Sequence, residues 1–384
     1  MSVSVRSRPA AALQRAARPL SLRPLALRPL ALLMAAAMLL PAPAALACSR
    51  ALYQGDDGNV ITGRTMDWKE DMRTNLWAFP RGMKRDGAGG PGTPQWTSKY
   101  GSVIASAYDI GASDGMNEKG LVANLLFLTG SVYPKPDGRP VLSLAMWLQY
   151  ALDNFATVDE VVKALSTESF RVETGRLPSG AVAQLHLSVS DASGDSAIFE
   201  YIDGKLVIHH GRQYQVMTNE PRYDDQLAIN TYWQQVGGLS FLPGTNRPED
   251  RFARAAFYIN AIPKGVATNY IGAVPGGALV NQAAASVMAV MRNVSVPLGI
   301  TTPDRPNVSS TIWRTVSDQK NRVYFFDSAT TPDTFWVSLD KLDFAAGQPA
   351  RRLTLTGGRV VAGEAAGAFQ PAEPFVPLAA GTGL

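Results

Sequence analysis

Cys48 is the only cysteine among 384 residues, so neither an intrachain disulfide nor a thiolate metal cluster can hold this chain together. Its stability has to come from a buried core. The only histidines are His186, His209 and His210. Two of them are adjacent, which does not suit a zinc site, and few candidates remain for histidine-dependent catalysis. No metal and no cofactor are expected. A chain that avoids cysteine everywhere but at one position invites a chemical explanation of that position.

Residues 1–47 have the layout of a secretory signal peptide. They carry Arg6, Arg8, Arg15, Arg18, Arg23 and Arg28 without an acidic residue, then the apolar run 30–40, then Pro41, Pro43 and the small-residue site Ala45-Leu46-Ala47. The run is shorter than the ~20 apolar residues of a membrane span, so no stable membrane anchor is expected. Cleavage after Ala47 makes Cys48 the first residue of a periplasmic protein. The basic region has no adjacent arginine pair, which points to general secretion. Losing six arginines leaves 30 Lys and Arg against 32 Asp and Glu, so the mature chain is slightly acidic and gives no support for binding nucleic acid or an anionic membrane. Residues 48–384 contain no Pro/Gly/Ser linker and read as one large domain.

Strand and helix signals alternate in blocks. Stretches 51–53 and 60–66 read as a hairpin around the turn 54–59, and 101–109 and 121–128 as further strands separated by turn-rich residues at 111–115 and 118–120. A buried helix is expected over 141–155, and Thr157 with Glu160 forms a capping box for a second helix reaching 165. A four-stranded meander follows at 184–189, 196–202, 206–210 and 215–218. Helices are then expected at 223–235, 251–262 and 283–292, and strands at 311–317, 322–326 and 334–338. Helix pairs between strand blocks imply an α+β fold with helices outside two stacked sheets. The Gly/Pro-rich loop 87–94 lacks the following Lys-Ser/Thr of a phosphate loop.

A terminal cysteine carries its own base. The thiolate is the reactive form and the thiol's unperturbed pKa is about 8.5, while an α-amine titrates at about 7.7 to 8.0 and can take the thiol proton. Arg64 and Asp67, on the hairpin arm facing Cys48, can stabilise the thiolate and hold the α-ammonium. Asn219, just past a strand end, suits a donor to an oxyanion.

The terminal Cys48, Arg64-Thr65-Met66-Asp67-Trp68, Asp114-Gly115-Met116-Asn117-Glu118-Lys119-Gly120-Leu121, Thr218-Asn219-Glu220-Pro221, and Leu242-Pro243-Gly244 followed by Asp250-Arg251-Phe252 together resemble the choloylglycine hydrolase and penicillin V acylase family. The resemblance implies a four-layer α-β-β-α N-terminal-nucleophile hydrolase fold and a homotetramer. It also implies Cys48 as nucleophile with its α-amine as base, Arg64 and Asp67 as supports, Asn219 as oxyanion donor and Arg251 completing the polar site. Bile salt hydrolases usually carry Asn, and Gram-positive penicillin V acylases Tyr, a few residues after the Asn-Glu-Lys-Gly-Leu motif. This chain reads Asn124-Leu125-Leu126-Phe127-Leu128 there. That segment, with Trp68 and Asn75-Leu76-Trp77, looks more like the Gram-negative branch, whose members act on penicillin V and in several cases on long-chain N-acyl homoserine lactones. Trp68 and Phe127 can supply an apolar wall for the acyl group of a small N-acyl amide substrate. Bile salts rank lower.

Other readings compete. Cys48 can be lipidated, although Leu46 stands two residues before it where lipoproteins usually place Leu three before. Gly111-Ala112-Ser113-Asp114-Gly115 fits the Gly-x-Ser-x-Gly elbow of serine hydrolases, but no histidine follows His210. A periplasmic ligand-binding protein needs a secreted chain of this size and no nucleophile. Trp68 and Phe127, taken singly, are ordinary core residues, and His209-His210 reads as structural.

Overall fold

The computed structural model describes residues 48–300 and 309–384; the expected leader lies outside the described residues. The hairpin forms as its alternation predicts. Strand Cys48–Gln54 pairs antiparallel with Val60–Trp68 from Cys48 opposite Met66 to Gln54 opposite Val60, around a one-turn 3-10 helix at Asp56–Gly58.

This hairpin sits inside a seven-stranded sheet in the order Val216–Thr218, Cys48–Gln54, Val60–Trp68, Ser310–Asp318, Val323–Ser328, Thr334–Ser338 and Gly363–Glu364. The second sheet has nine strands, in the order Lys205–His210, Ser196–Ile202, Leu185–Ser190, Val122–Phe127, Gly111–Asn117, Ser102–Ala107, Leu76–Phe79, Arg351–Leu353 and Gln370–Pro371. Five α-helices are described: α1 (Leu144–Asn154), α2 (Val158–Leu165), α3 (Tyr223–Val236), α4 (Pro248–Ala261) and α5 (Leu279–Asn293). Helices α1 and α2 cover the second sheet, while α4 and α5 cover the first and α3 lies on α4.

Period-two alternation divides the apolar residues between two cores. In the second sheet Leu76, Ala78, Val103 and Ala105 turn toward the first sheet, where they meet Met66, Trp68 and Val316. Their neighbours Trp77, Phe79 and Ile104 turn outward onto Leu148, Ala151 and Leu152 of α1. Both faces of the second sheet are therefore apolar, and the molecule is layered α-β-β-α. Thr157 caps α2 by accepting from the Glu160 N–H at 3.3 Å, as the capping-box spacing predicts.

Three local expectations are corrected. Residues 111–115 are not a turn: Gly111–Asn117 is an interior strand. Its glycines permit close contact. A Cβ on Gly111 would lie 3.1 Å from Ala145 Cβ of α1, and one on Gly115 would lie 2.7 Å from Ile104 Cγ2. The expected helix at 141–155 opens with a short strand, Val141–Ser143, and Ser143 Oγ caps α1 by accepting from the Ala145 N–H at 3.3 Å. The meander loses its last member, because Val216–Thr218 leaves the second sheet and pairs with Ser49, Arg50 and Ala51 in the first.

Candidate active site

Cys48 opens an interior strand, with neighbours on both sides, and is 3% exposed. Its Sγ lies 3.7 Å from the Asp67 carbonyl oxygen, to which the thiol donates, and faces a pocket between the sheets. That pocket encloses about 700 Å³ of space between atoms, solvent at its mouth included, and is lined by Cys48, Arg64, Met66, Trp68, Phe127 and Leu185 among others. The Trp68 and Phe127 rings, 5.8 Å apart and tilted by 45°, form one wall. The Trp68 indole N–H donates to the Tyr108 hydroxyl at 2.9 Å, and that hydroxyl donates to Glu70 at 2.7 Å.

Strand Val60–Trp68 offers its two faces differently. Arg64, Met66 and Trp68 share the pocket face; Thr65 and Asp67 alternate to the other. Arg64 is buried and donates from Nη2 to the Leu125 carbonyl at 2.8 Å, with its guanidinium 4.7 Å above the Trp313 ring. Its Nε and Nη1 have no hydrogen-bond partner among the described residues. Asp67 is equally buried, but its two oxygens accept from Thr65 at 3.1 Å and from the Thr311 hydroxyl. Thr65 Oγ1 in turn accepts from the Ser49 N–H at 3.0 Å, so Asp67 supports the cysteine strand through Thr65.

Asn219 follows strand Val216–Thr218, and Arg251 projects from the first turns of α4. Asn219 Oδ1 accepts from the Cys48 nitrogen and from Arg251 Nη2, the latter at 2.9 Å, while its Nδ2 donates to the Phe127 carbonyl at 2.8 Å. Arg251 Nη1 donates to the Cys48 carbonyl and to Ser49 Oγ, each at 2.6 Å, and its Nε donates to Asn246 O at 3.0 Å. The Arg251 and Asp67 charges stand 3.9 Å apart. The Cys48 nitrogen is therefore held by Asn219, and Asp67 reaches the cysteine strand through Thr65.

Burial pushes the Cys48 thiol above its ordinary range, against the downward pull of the Arg64 charge; the Asp67 charge adds to the rise, and Arg251 opposes it more weakly than Arg64. Burial likewise raises the Asp67 carboxyl, with Arg251 and the two threonines pulling it back. A thiol held up in this way is protonated near neutrality and needs a base to become a nucleophile.

The sequence profile of the linear amide C–N hydrolases, choloylglycine hydrolase family, matches residues 48–350. The chain belongs to the choloylglycine hydrolase family. Within it, this chain is 49% identical over 354 residues to a penicillin V acylase of Pectobacterium atrosepticum, covering 88% of this chain and 94% of that protein. The solved penicillin V acylase from Agrobacterium tumefaciens superposes with a TM-score of 0.77 at 54% identity, covering 86% of this chain and 99% of that one. A bile salt hydrolase/transferase of Clostridium perfringens is 30% identical over 245 residues, covering 56% of this chain and 73% of that protein. The protein is thus a linear-amide hydrolase with the N-terminal-nucleophile hydrolase fold.

All seven residues singled out from the sequence, Cys48, Arg64, Trp68, Asp67, Phe127, Asn219 and Arg251, meet at one place in this choloylglycine hydrolase fold. Ser49, Thr65 and Thr311 join them through hydrogen bonds. Sequence reasoning missed these three, since a hydroxyl in a strand gives no signal until its partner strand is known. Ser113 of the Gly-x-Ser-x-Gly pattern lines the pocket from mid-strand, its hydroxyl donating to Ala105 O at 3.0 Å, so it forms no strand-to-helix elbow. His186 is buried with Nδ1 3.0 Å from Glu200, and His210 Nε2 is 2.8 Å from Asp195. Among the described residues no group of three or more His, Cys, Asp and Glu can hold a metal ion, and no helix is long and apolar enough to cross a membrane.

Proposed function

We propose that cleavage after Ala47 frees Cys48 as the nucleophile of a periplasmic acylase that hydrolyses penicillin V and long-chain N-acyl homoserine lactones. The observation that carries this reading is Cys48 itself, with Sγ on an apolar pocket and its nitrogen held by Asn219. The α-amine takes the thiol proton, and sulfur attacks the amide carbonyl. Asn219 Nδ2 has two N–H bonds; one is given to Phe127 O and the second is available to the oxyanion. Collapse breaks the C–N bond, the leaving amine taking the proton from the α-ammonium. Water then attacks the thioester, the α-amine accepts its proton, and the carboxylic acid departs as the thiol reforms.

The pocket supports an apolar acyl group. Ser113 and Ser143, its two lining hydroxyls, already donate to Ala105 O and Leu378 O at 3.0 and 2.6 Å, leaving the Arg64 guanidinium and otherwise aromatic and aliphatic surface for the substrate. The family resemblance adds a homotetramer, which light scattering of the purified protein tests, and removal of acyl homoserine lactone signals as a physiological use.

Intact mass and activity test the reading together. The secreted protein should have the mass of a chain beginning at Cys48, and Cys48→Ala should lower hydrolysis of phenoxymethylpenicillin to background. Penicillin V and long-chain acyl homoserine lactones should turn over better than conjugated bile salts. A diacylglyceryl adduct on Cys48, undiminished turnover by Cys48→Ala, or robust bile-salt cleavage with neither other substrate would each overturn it.

A further inference from the structure

Beyond the family profile's match at 48–350, the chain returns to the pocket. Phe375 is anchored against Trp77 and Phe79, with ring centroids 5.4 and 5.9 Å away. Farther on, Gly381 N–H donates to Thr174 O at 2.8 Å, Arg176 N–H to Thr382 O at 2.8 Å and Arg176 Nε to Gly383 O at 2.9 Å. Between these two anchors stands Leu378, whose side chain lines the pocket opened by Cys48.

Leu378 is fixed on both sides. Its N–H donates to Ile110 O at 2.8 Å, and its carbonyl accepts from Ser143 Oγ at 2.6 Å; Ile110 and Ser143 themselves line the pocket. Opposite lies Gly175, also a lining residue. A Cβ there would stand 3.2 Å from Leu378 Cδ2 and 3.2 Å from Ala379 O, so a larger residue would press on the segment. Ser143 caps α1 with the same oxygen that holds Leu378, which ties the segment to a helix start rather than to a mobile loop.

We propose that residues 375–384 form a strap across the acyl pocket and that Leu378 sets the length of acyl chain admitted. The proposal rests on the acylase reading for its substrate class. Physically it needs less, only an apolar chain entering from the Cys48 side and meeting a wall supplied by this segment. Truncating Leu378 lengthens the space, and enlarging it shortens the space. Each methylene accepted or refused in such a pocket changes discrimination by about tenfold or more.

The test measures affinity for straight-chain carboxylic acids of six to fourteen carbons, the product class, in the mature wild-type protein, Leu378→Ala and Leu378→Phe. Val376→Ala serves as control, because Val376 is 82% exposed on the same segment. Leu378→Ala should move the tightest-binding acid to longer chains and Leu378→Phe to shorter ones, the long-to-short affinity ratio changing by about tenfold in each direction; Val376→Ala should match wild type. Should Leu378→Ala not fold, Leu378→Met and Arg176→Ala, which loses a tie to Gly383, give the same reading on a milder scale. Length profiles that stay superimposed across the folded variants would overturn the strap. Kinetics on matching N-acyl homoserine lactones separate the two ideas: shifted acid binding with no amide cleavage would sink the acylase reading and leave the strap standing.

Discussion

Arg64 and Arg251 flank Cys48 from opposite sides, and neither has exposed surface, yet their hydrogen bonding differs sharply. Arg251 spends Nε, Nη1 and Nη2 on Asn246 O, Cys48 O, Ser49 Oγ and Asn219 Oδ1. Arg64 gives Nη2 to Leu125 O and leaves Nε and Nη1 without partners beside the pocket. Buried donors are ordinarily satisfied because leaving one unmade costs about 1 to 3 kcal/mol. A frame that saturates one guanidinium and leaves its neighbour short separates two duties: Arg251 builds the scaffold around the cysteine backbone, and Arg64 is held ready for what enters the pocket.

The strongest way to break this contrast is to remove each charge in turn. Arg251→Leu removes its donors from Asn246 O, Cys48 O, Ser49 Oγ and Asn219 Oδ1 and takes from Asp67 the stronger of its two cations, so it should destabilise the fold by about 3 to 5 kcal/mol, read by denaturant unfolding. Arg64→Leu deletes two unpartnered donors, the bonds to Leu125 O and Met66 Sδ and the charge that offsets burial of Asp114, and should cost less, about 1 to 3 kcal/mol, while lowering turnover by about a hundredfold or more. Equal destabilisation by the two substitutions would erase the distinction.

A finer comparison uses the thiol. Burial holds the Cys48 thiol up, Arg64 is the stronger of the two arginines pulling it down, and Arg251 is the weaker. With Cys48 still joined to Ala47, the pH profile of its alkylation should therefore rise at higher pH than for an ordinary thiol. It should move higher again in Arg64→Leu, and by less in Arg251→Lys, which keeps a positive charge. A larger shift in Arg251→Lys would contradict the assigned order.

The smallest expected effect lies away from the site and asks whether a saturated charge stabilises without touching activity. Burial tends to raise the Asp327 carboxyl, but bonds from Arg292 and Thr334 and the charges of Arg292 and Arg314 outweigh it and hold its pKa below the usual value. A depressed folded-state pKa contributes stability above the unfolded value, about 3.9, and loses it as pH falls through the folded value. Asp327→Asn should cost about 1 to 2 kcal/mol at neutral pH, the gap to wild type closing below about pH 4, with kcat unchanged. A gap that persists at pH 3 would mean that the loss is packing rather than charge.

How much of this was legible in the sequence depended on whether the signal was local. The hairpin that carries Cys48, Arg64 and Asp67 is written in its alternation and its Asp-Asp-Gly turn, and α2 in its Thr157 cap. Residues 111–115 misled because glycine serves both turns and close packing, and only the position of α1 decides between them. Val216–Thr218 was recognisable as a strand, but its change of sheet depends on pairing with Cys48–Gln54, more than 160 residues earlier in the chain. Asn219 was picked out from its motif, while its bond to the Cys48 nitrogen follows from that change of sheet. Leu378 had no signal at all: one leucine in a Pro- and Ala-rich stretch becomes a pocket wall only through the hydrogen bonds that carry it there.

The strand change has one more consequence. Chain ends usually fray, because a terminal residue is held from one side at most. With Val216–Thr218 on one edge of Cys48–Gln54 and Val60–Trp68 on the other, an amino terminus created at Cys48 would begin its life as ordered as the middle of a sheet. The entropy of fixing a reactive amine beside a thiol would then be met once, during folding, and not again at every turnover.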